Sequence, residues 1–422
     1  MNSVSTSANT KASAIELRRV SKHFSPDSQT AALLDINLHI PRGQLTALLG
    51  PSGCGKSTLL RLMAGLDQPS SGDILMNGEV VTHLSIEARN VSLVFQNYAL
   101  FPHLNVRGNV AYGLKMMGLA EVETQARADA ALALVGLQGL EERAVAELSG
   151  GQQQRLALAR ALAIEPSVLL LDEPLSNLDT RLRRHMREEI RALQQRLNLT
   201  VVYVTHDQAE AMAVSDQVVV MHQAQVLQVG TPRDAYLRPI DDRVAAVMGD
   251  AAVVEATALS AQRVNLGALI IEVEGLPAHI KLGDPVKLVI RPEAWRITAA
   301  TGAGLPGKVL RRAYLGRFVE YLIQVTWGEV WVSALSGLST DNALLQVGAP
   351  VSLSLSRLGV SVLAAPASES PLGLAAAHGQ APANASAGAS AGASPIKARH
   401  SSISIFQNAQ TKVPGQLQET LQ

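Results

Sequence analysis

The first part of the chain, residues 15–248, alternates short apolar runs with longer segments of helical period. Three of the runs are continuously apolar, as strands buried on both faces of a parallel sheet are; they are LTALLG (45–50), VLLL (168–171) and VVYVT (201–205). STLLRLMAGL (57–66) follows the first run, and the charged amphipathic segment 180–197 lies between the other two. Both segments have the spacing of helices. The pattern predicts a parallel α/β domain over residues 15–248.

The pattern changes after residue 248. Short strand-like runs punctuated by Gly and Pro follow, among them VKLVI (286–290), YLIQV (321–325), VWVSA (330–334) and VSLSLS (351–356). They predict a small β-barrel or sandwich over residues 249–365. Residues 366–422 are rich in Ala, Gly, Ser and Pro, and residues 1–14 are polar. Such compositions bury too little apolar surface to offset the entropy of ordering, so both ends are predicted to be disordered.

Composition limits the classes of partner. Lys and Arg together number 36, as do Asp and Glu, so no basic excess points to nucleic acid. Residues 1–14 lack the apolar centre of a signal peptide, and no run approaches the roughly 18 to 20 apolar residues of a membrane span. The single cysteine, Cys54, excludes an internal disulfide. We expect a cytoplasmic protein. If it serves a membrane, we expect it to do so as a peripheral subunit on the cytoplasmic face of that membrane.

The segment GPSGCGKST follows the first predicted strand and opens the first predicted helix. It satisfies the pattern G-x-x-x-x-G-K-[ST], in which glycines let backbone N–H groups surround a β-phosphate at a positive helix N-terminus. Lys56 can reach the β- and γ-phosphates, and the Ser57 hydroxyl can bind Mg²⁺. The predicted nucleotide-binding residues of this loop are Gly50, Pro51, Ser52, Gly53, Cys54, Gly55, Lys56, Ser57 and Thr58.

Cys54 lies inside this loop, at a helix N-terminus and beside Lys56. These surroundings would lower the pKa of its thiol and raise its reactivity. The simpler interpretation is a small loop residue without a role of its own. We expect alkylation of the thiol to block nucleotide binding by steric occlusion.

Two adjacent carboxylates, Asp172 and Glu173, follow the strand at 168–171. An Asp at the end of a strand next to a phosphate loop can hold Mg²⁺, and the neighbouring Glu can polarise a water for attack on a γ-phosphate. The alternative is a pair of exposed turn carboxylates before Pro174. With the phosphate loop upstream, the pair predicts hydrolysis of a nucleoside triphosphate.

The segment LSGGQQQR at 148–155 places a Ser and two glycines at the start of another predicted helix. This is a second helix N-terminus suited to an anion, and a single nucleotide site does not need two of them. The economical interpretation is that this segment serves the nucleotide of a second copy of the chain.

Together these motifs resemble the nucleotide-binding domain of ABC transporters, an α/β P-loop NTPase fold, over residues 15–248. The resemblance implies a head-to-tail homodimer with two ATP molecules between phosphate loop and LSGGQ segment. Ser149 and Gly151 would contact the γ-phosphate of the partner's ATP. The implied residues of this second half-site are Ser149, Gly150, Gly151, Gln152 and, in the SNLD loop that crosses the dimer, Asp179.

The same resemblance assigns three further residues. Gln96, in VFQNYALFPHL, matches the loop that senses the γ-phosphate and Mg²⁺, and His206, in VTHD, matches the switch histidine that contacts the γ-phosphate. Phe24, in VSKHF, matches the aromatic that stacks on adenine; by itself it would be taken for a core aromatic. Glu173, His206 and Lys56 are thus the predicted catalytic residues, and Ser57, Gln96 and Asp172 the predicted Mg²⁺ ligands. FPHLN (101–105) would receive short cytoplasmic helices of a permease.

The β-rich segment resembles the regulatory, TOBE-like domain (an OB-like fold) of importer ATPases. The likeness lies in VIRPEAWRI (289–297) and RRAYLGRFVEYLI (311–323), including the triplet Arg291-Pro292-Glu293. It implies uptake of a small solute through two membrane-spanning permease subunits, with a substrate-binding protein as an indirect partner. The overall sequence pattern favours ferric iron as the solute, with polyamines, 2-aminoethylphosphonate, sulfate or sugars as alternatives.

Other classes of ATPase remain as alternatives. Soluble ABC ATPases of translation or DNA repair usually carry two cassettes or a long coiled-coil insertion, whereas this chain has one cassette and no sustained heptads. The LSGGQ segment and His206 argue against a P-loop kinase or GTPase. Intact Lys56, Asp172 and Glu173 argue against a non-hydrolytic structural role.

Overall fold

The computed structural model of the protein describes residues 13–25, 30–277, 279–300, 304–336 and 345–363. The first strand begins at Ser13, two residues before the predicted start of the α/β domain. The rest of the predicted N-terminal segment and the 366–422 tail lie outside the described residues. None of the helices in the described ranges has both the length and the apolar character needed to cross a membrane.

The α/β domain matches the predicted alternation. Its described strands are β1 (Ser13–Lys22), β2 (Leu33–Pro41), β3 (Leu45–Leu49), β4 (Ser71–Met76), β5 (Glu79–Val80), β6 (Val91–Val94), β7 (Val168–Asp172), β8 (Thr200–Thr205), β9 (Gln217–His222) and β10 (Gln225–Gly230). Its described helices are α1 (Lys56–Ala64), α2 (Val106–Met116), α3 (Glu121–Leu134), α4 (Gly150–Ala163), α5 (Thr180–Leu197), α6 (Gln208–Val214), α7 (Pro232–Leu237) and α8 (Asp242–Val247).

The central sheet has the strand order β10-β9-β3-β8-β7-β6, in which β9, β3, β8, β7 and β6 run parallel. A separate antiparallel sheet, β2-β1-β4-β5, covers one side. Both faces of the central strands are buried, which explains why their sequences are continuously apolar. In β7, for example, Leu169 and Leu171 enter the core formed with α2 to α5, whereas Val168 and Leu170 enter the core formed with α1 and the antiparallel sheet.

The second domain consists of two antiparallel sheets. Its described strands are β11 (Ala252–Ser260), β12 (Arg263–Leu266), β13 (Leu269–Glu272), β14 (Pro285–Ile290), β15 (Trp295–Ala299), β16 (Leu305–Tyr314), β17 (Phe318–Val325), β18 (Gly328–Leu335), β19 (Pro350–Leu355) and β20 (Val360–Leu363). The sheets have the orders β13-β12-β11-β14-β20 and β15-β19-β16-β17-β18. Alternate side chains of both sheets, such as Leu288 and Ile323, share one apolar core. The prediction of a small all-β domain is confirmed.

One buried arginine joins the two domains. Arg291, which follows β14, is 1% exposed. Its Nη1 donates to the backbone carbonyls of Ala245 (2.9 Å), Gly249 (2.9 Å) and Asp250 (3.2 Å), and its Nη2 donates to that of Tyr236 (3.0 Å). The guanidinium carbon lies 4.1 Å from the centroid of the Tyr236 ring. Arg291 therefore provides the donors for carbonyls of the α7–α8 region, and these bonds account for the burial of its guanidinium.

Candidate nucleotide site

One group of the predicted site residues lies at the ends of four parallel strands and therefore at one edge of the central sheet. The phosphate loop follows β3, Gln96 follows β6, Glu173 follows β7 and His206 follows β8. Carboxyl ends of parallel strands meet at the same edge, where α/β folds bind their ligands. The strand order explains how residues distant in sequence come within hydrogen-bond distance.

The phosphate loop requires glycine for both conformation and space. Gly53 and Gly55 have φ values of +82° and +105°, in the left-handed region. A Cβ at Gly55 would lie 2.6 Å from the carbonyl oxygen of Ala32, and one at Gly50 would lie 2.2 Å from that of Met221. These glycines bring the chain into α1, whose unpaired N-terminal N–H groups suit an anion.

Lys56 begins α1 and is enclosed by its own loop. It is 5% exposed. Its Nζ donates to the carbonyl oxygens of Gly50 (2.8 Å) and Pro51 (3.0 Å) and lies 3.9 Å from Sγ of Cys54. The loop therefore carries a fixed positive charge at its centre.

The predicted effect of this lysine on Cys54 is wrong. Burial raises the pKa of the Cys54 thiol, and this outweighs the lowering effect of Lys56. The side chain is buried and belongs to the apolar core that includes Leu59 and Leu60. The sequence shows the lysine but not the apolar core beneath the loop, so it predicted a reactive thiol. In the structure this thiol is desolvated, which disfavours the thiolate.

Ser57 and Asp172 present two oxygen donors side by side. Oγ of Ser57 donates to Oδ1 of Asp172 at 2.9 Å. Burial raises the pKa of Asp172, the bond from Ser57 lowers it, and the charge of Glu173 raises it further, with a net upward shift. One carboxylate and one hydroxyl fit Mg²⁺, which commonly takes its other ligands from phosphates and water. Within the described residues, no group of three or more His, Cys, Asp or Glu side chains could hold a metal.

Glu173 connects the ends of three strands. Its Oε1 lies 3.1 Å from Nδ1 of His206, and its Oε2 accepts from Nε2 of Gln96 at 3.4 Å. Its backbone N–H donates to the carbonyl of Val204 (3.1 Å), and its φ is +44°. A non-glycine residue in the left-handed region is strained, as is common at functional sites. The structure thus brings Glu173, His206 and Gln96 together as one hydrogen-bonded group.

Two residues that the sequence analysis did not identify hold Gln96 in place. Oγ of Ser176 accepts from Nε2 of Gln96 at 3.2 Å, and Nδ2 of Asn177 donates to the backbone carbonyl of Gln96 at 3.0 Å. Both residues lie in the loop between Glu173 and Asp179. Asp179 itself caps α5, since its Oδ1 accepts from the N–H of Leu182 at 2.9 Å. The position of Ser176 and Asn177 in the SNLD segment was the only signal in the sequence.

A further buried carboxylate that the sequence did not reveal lies beside β8. Glu210 of α6 accepts from Oγ1 of Thr205 (2.9 Å) and Oη of Tyr203 (3.1 Å). Burial is the largest cause of the upward shift in its pKa. These bonds hold α6 against the strand that ends at His206.

The LSGGQ segment forms an exposed helix N-terminus. Oγ of Ser149 accepts from the N–H of Gln152 (3.4 Å), and Oε1 of Gln152 accepts from the N–H of Ser149 (2.9 Å), a reciprocal capping box. Gly150 is exposed, whereas a Cβ at Gly151 would lie 3.1 Å from the side chain of Leu182. Within the described residues, this segment forms no hydrogen bond with the phosphate loop of the same chain.

Phe24 is not a core aromatic. Its side chain is 71% exposed, and Nζ of Lys22 lies 5.6 Å from its ring centroid. An exposed aromatic ring of this kind can stack on a planar base. Within the described residues, no cation–π contact joins its ring to Lys56 of the phosphate loop.

Comparison with known proteins decides the family. The "Fe(3+) ions import ATP-binding protein FbpC" of Brucella abortus is 49% identical over 322 residues, which cover 75% of this chain and 90% of that protein. The protein of the same name from Agrobacterium fabrum is 50% identical over 305 residues, covering 71% and 86%. The chain belongs to the ABC transporter family. The family models for "ABC transporter" and "TOBE domain" match residues 33–176 and 288–363 of this ABC protein.

Among solved structures, the ABC protein resembles cbiO1 from Clostridium perfringens, described as part of the ABC transporter complex cbiONQ. The two share 33% identity with a TM-score of 0.50, over 53% of this chain and 90% of that one. The sequence-based predictions of an importer-type, ATP-hydrolysing ABC protein, an α/β P-loop fold and a C-terminal TOBE domain are confirmed.

Proposed function

We propose that this ABC protein is the ATP-binding subunit of a ferric-iron importer. The observation that carries the proposal is its identity of 49% and 50% to two proteins named for Fe(3+) import, over 90% and 86% of their lengths. The aligned length of 322 residues exceeds the α/β domain, so the likeness extends into the TOBE domain. The assignment of iron rests on these relatives, because an ATP-binding subunit need not touch the transported solute.

The arrangement of Glu173 supports its role as general base. A carboxylate next to a phosphate site can accept a proton from the water that attacks the γ-phosphate. The contact between Oε1 and Nδ1 of His206 orients the carboxylate and leaves the other imidazole nitrogen for the phosphate. Lys56 supplies a fixed positive charge for the phosphate oxygens. Ser57, Asp172 and Gln96 would hold Mg²⁺, which would neutralise charge on the phosphates.

We also propose that two copies form a head-to-tail homodimer around two ATP molecules. The exposed N-terminus of α4, with Ser149 and Gly150 at its start, is a second position suited to a phosphate. Ser149 and Gly151 would act on the partner's ATP, with Asp179 near the crossing of the two chains. The exposed ring of Phe24 would stack on adenine.

The membrane partners would be two permease subunits, with a substrate-binding protein acting through them. Docking would involve residues 101–105, where Pro102 and His103 are exposed and Phe101 is half-buried. The Phe101 ring lies 4.5 Å from that of Tyr112, whose side chain is 41% exposed, so the two rings form a small apolar surface. The protein would then lie at the cytoplasmic face of the inner membrane.

Reconstitution tests this function. The protein would be assembled with its permease subunits and binding protein in proteoliposomes, and ATP-dependent uptake of radioactive Fe³⁺ measured beside a polyamine, 2-aminoethylphosphonate, sulfate and a sugar. We expect uptake of iron alone, abolished by Glu173→Gln and unchanged by Glu188→Gln, a matched change at an exposed position on α5. ATP-dependent uptake of another solute in place of iron would overturn the assignment.

A further inference from the structure

The turn that follows Gln96 is strained at two consecutive residues. Tyr98 and Ala99 have φ values of +62° and +46°, and neither is glycine. L-residues avoid this region because Cβ approaches the carbonyl oxygen that follows, so two such residues in sequence need support from elsewhere in the fold. The turn separates Gln96, which contacts Glu173, from Phe101 at the proposed docking surface.

A single side chain from α4 supplies that support. Nη1 of Arg160 donates to the carbonyl oxygen of Ala99 at 2.7 Å, and Nη2 donates to that of Tyr98 at 2.8 Å. The planar guanidinium fork matches two adjacent acceptors in a way that a lysine ammonium does not. The guanidinium carbon also lies 5.4 Å from the centroid of the Phe101 ring. Arg160 therefore contacts both the strained turn and the aromatic that follows it.

The opposite end of α4 carries the LSGGQ capping box. The helix runs without interruption from Gly150 to Ala163 and is capped by Ser149. Ser149 and Arg160 are thus separated by about 16 Å of continuous α-helix, at 1.5 Å per residue. Buried residues along the helix, including Leu156 and Leu158, pack it into the core of the domain. A helix held in this way moves as one body rather than bending.

We propose that Arg160 is a positioning residue that couples the LSGGQ end of α4 to the Gln96–Phe101 segment. When ATP engages Ser149 across the dimer, the displacement of α4 reaches the carbonyls of Tyr98 and Ala99 through the Arg160 fork. The Tyr98 side chain lies in the same apolar core as α4, and the two Arg160 bonds add the link that makes the backbone carbonyls of the strained turn follow the helix. This inference rests on the proposed homodimer. It names Arg160 as the residue that transmits closure of the homodimer to the docking surface.

The test follows the 97–101 backbone directly and does not depend on the solute. Hydrogen exchange would be measured with and without MgATP in the full-length Glu173→Gln protein, with ATP binding measured in the same samples. We expect ATP to change exchange at residues 97–101, and Arg160→Lys to abolish that change while ATP affinity stays the same. Arg184→Lys, at an exposed position on α5 paired with Glu188 at 3.3 Å, is the matched control.

A second substitution separates coupling from a general structural effect. Ala99 is exposed, so Ala99→Gly removes no buried contact and relieves the strain at φ +46°. We expect Ala99→Gly alone to keep the ATP-linked exchange change, because both Arg160 bonds persist, and to leave it absent in Arg160→Lys, because relief of strain does not replace those bonds. Restoration of the change by Ala99→Gly would assign the effect to strain and overturn the inference. Exchange that responds to ATP equally in the parent and Arg160→Lys proteins would overturn the inference, as would a parent that shows no response. A different transported solute would overturn only the iron assignment.

Discussion

Nδ1 of His206 lies 3.1 Å from Oε1 of Glu173, and this contact joins the ends of the neighbouring parallel strands β7 and β8. The other carboxylate oxygen accepts from Gln96, which follows β6, the strand paired with β7 on its other side. The orientation of Glu173 thus depends on three strands of one sheet rather than on its own loop. Since a general base must point at its water, this geometry makes Glu173 the first residue to test.

We expect Glu173→Gln to lower ATP turnover by about a hundredfold or more, the usual contribution of a positioned general base. The amide keeps the shape of the side chain but cannot accept the proton, so ATP should remain bound and the dimer trapped. Steady-state phosphate release and size-exclusion chromatography with MgATP measure the two effects. Turnover at the unmodified rate would exclude Glu173 as the base.

We expect Asp172→Asn to stabilise the nucleotide-free protein near neutral pH. Burial raises the pKa of Asp172, so its ionised form disfavours the folded state above that pKa, whereas below the pKa of the unfolded chain the proton is bound in both states. The gain in thermal midpoint should therefore shrink as the pH falls through the carboxyl range, and Mg²⁺-dependent ATPase activity should be lost. Asp129→Asn, at an exposed position, is the control. A lower midpoint for Asp172→Asn near neutral pH would contradict this account.

Cys54 should react slowly with alkylating reagents near neutral pH. Burial raises the pKa of its thiol, so little thiolate is present until the pH exceeds the usual range of cysteine. Because the chain has one cysteine, mass spectrometry of the intact protein gives its modification without ambiguity. We expect complete alkylation to abolish ATP binding by occlusion of the loop. Full ATPase activity after complete modification would show that the thiol does not border the nucleotide.

We expect Arg291→Ala to destabilise the TOBE domain by about 3 kcal/mol or more, because buried carbonyls of Tyr236, Ala245, Gly249 and Asp250 lose their charged donor. The three tryptophans of the chain, Trp295, Trp327 and Trp331, all lie in this domain, so their fluorescence during urea unfolding reports on it alone. Arg296→Ala, at an exposed position five residues further along, is the control. Equal urea midpoints for the two variants would show that Arg291 does not stabilise the contact between the two domains.

We expect Phe101→Asp to uncouple transport from hydrolysis. The side chain is half-buried between Tyr112 and Arg160, and a carboxylate beside Arg160 is tolerated, so the fold should persist while the apolar docking surface is lost. ATPase activity of the isolated protein should be retained, and uptake in proteoliposomes should fall severalfold. Val122→Asp, at an exposed position on α3, should leave both unchanged. Loss of ATPase activity in the isolated Phe101→Asp protein would indicate a folding defect instead.

Much of the fold was predictable because its elements carry strong local patterns. The helix predicted at 180–197 spans Thr180–Leu197, and the apolar runs at 168–171 and 201–205 lie within β7 and β8. Their partners were not predictable, since the order β3-β8-β7-β6 comes from helix and strand packing across more than a hundred residues of sequence. The roles of Ser176 and Asn177 were not predictable for the same reason, because they depend on hydrogen bonds to Gln96, which is distant in the sequence.

The sequence by itself determined the phosphate loop and the capped start of α4. Each is built from contiguous residues, so glycines and a Ser-to-Gln capping box are enough to set the backbone. Only the tertiary structure decided that Cys54 is desolvated and that Arg160 holds the Tyr98–Ala99 turn. Burial and the contacts of a guanidinium fork depend on groups that folding brings together from distant positions in the sequence. A local sequence pattern does not predict which of these groups come into contact.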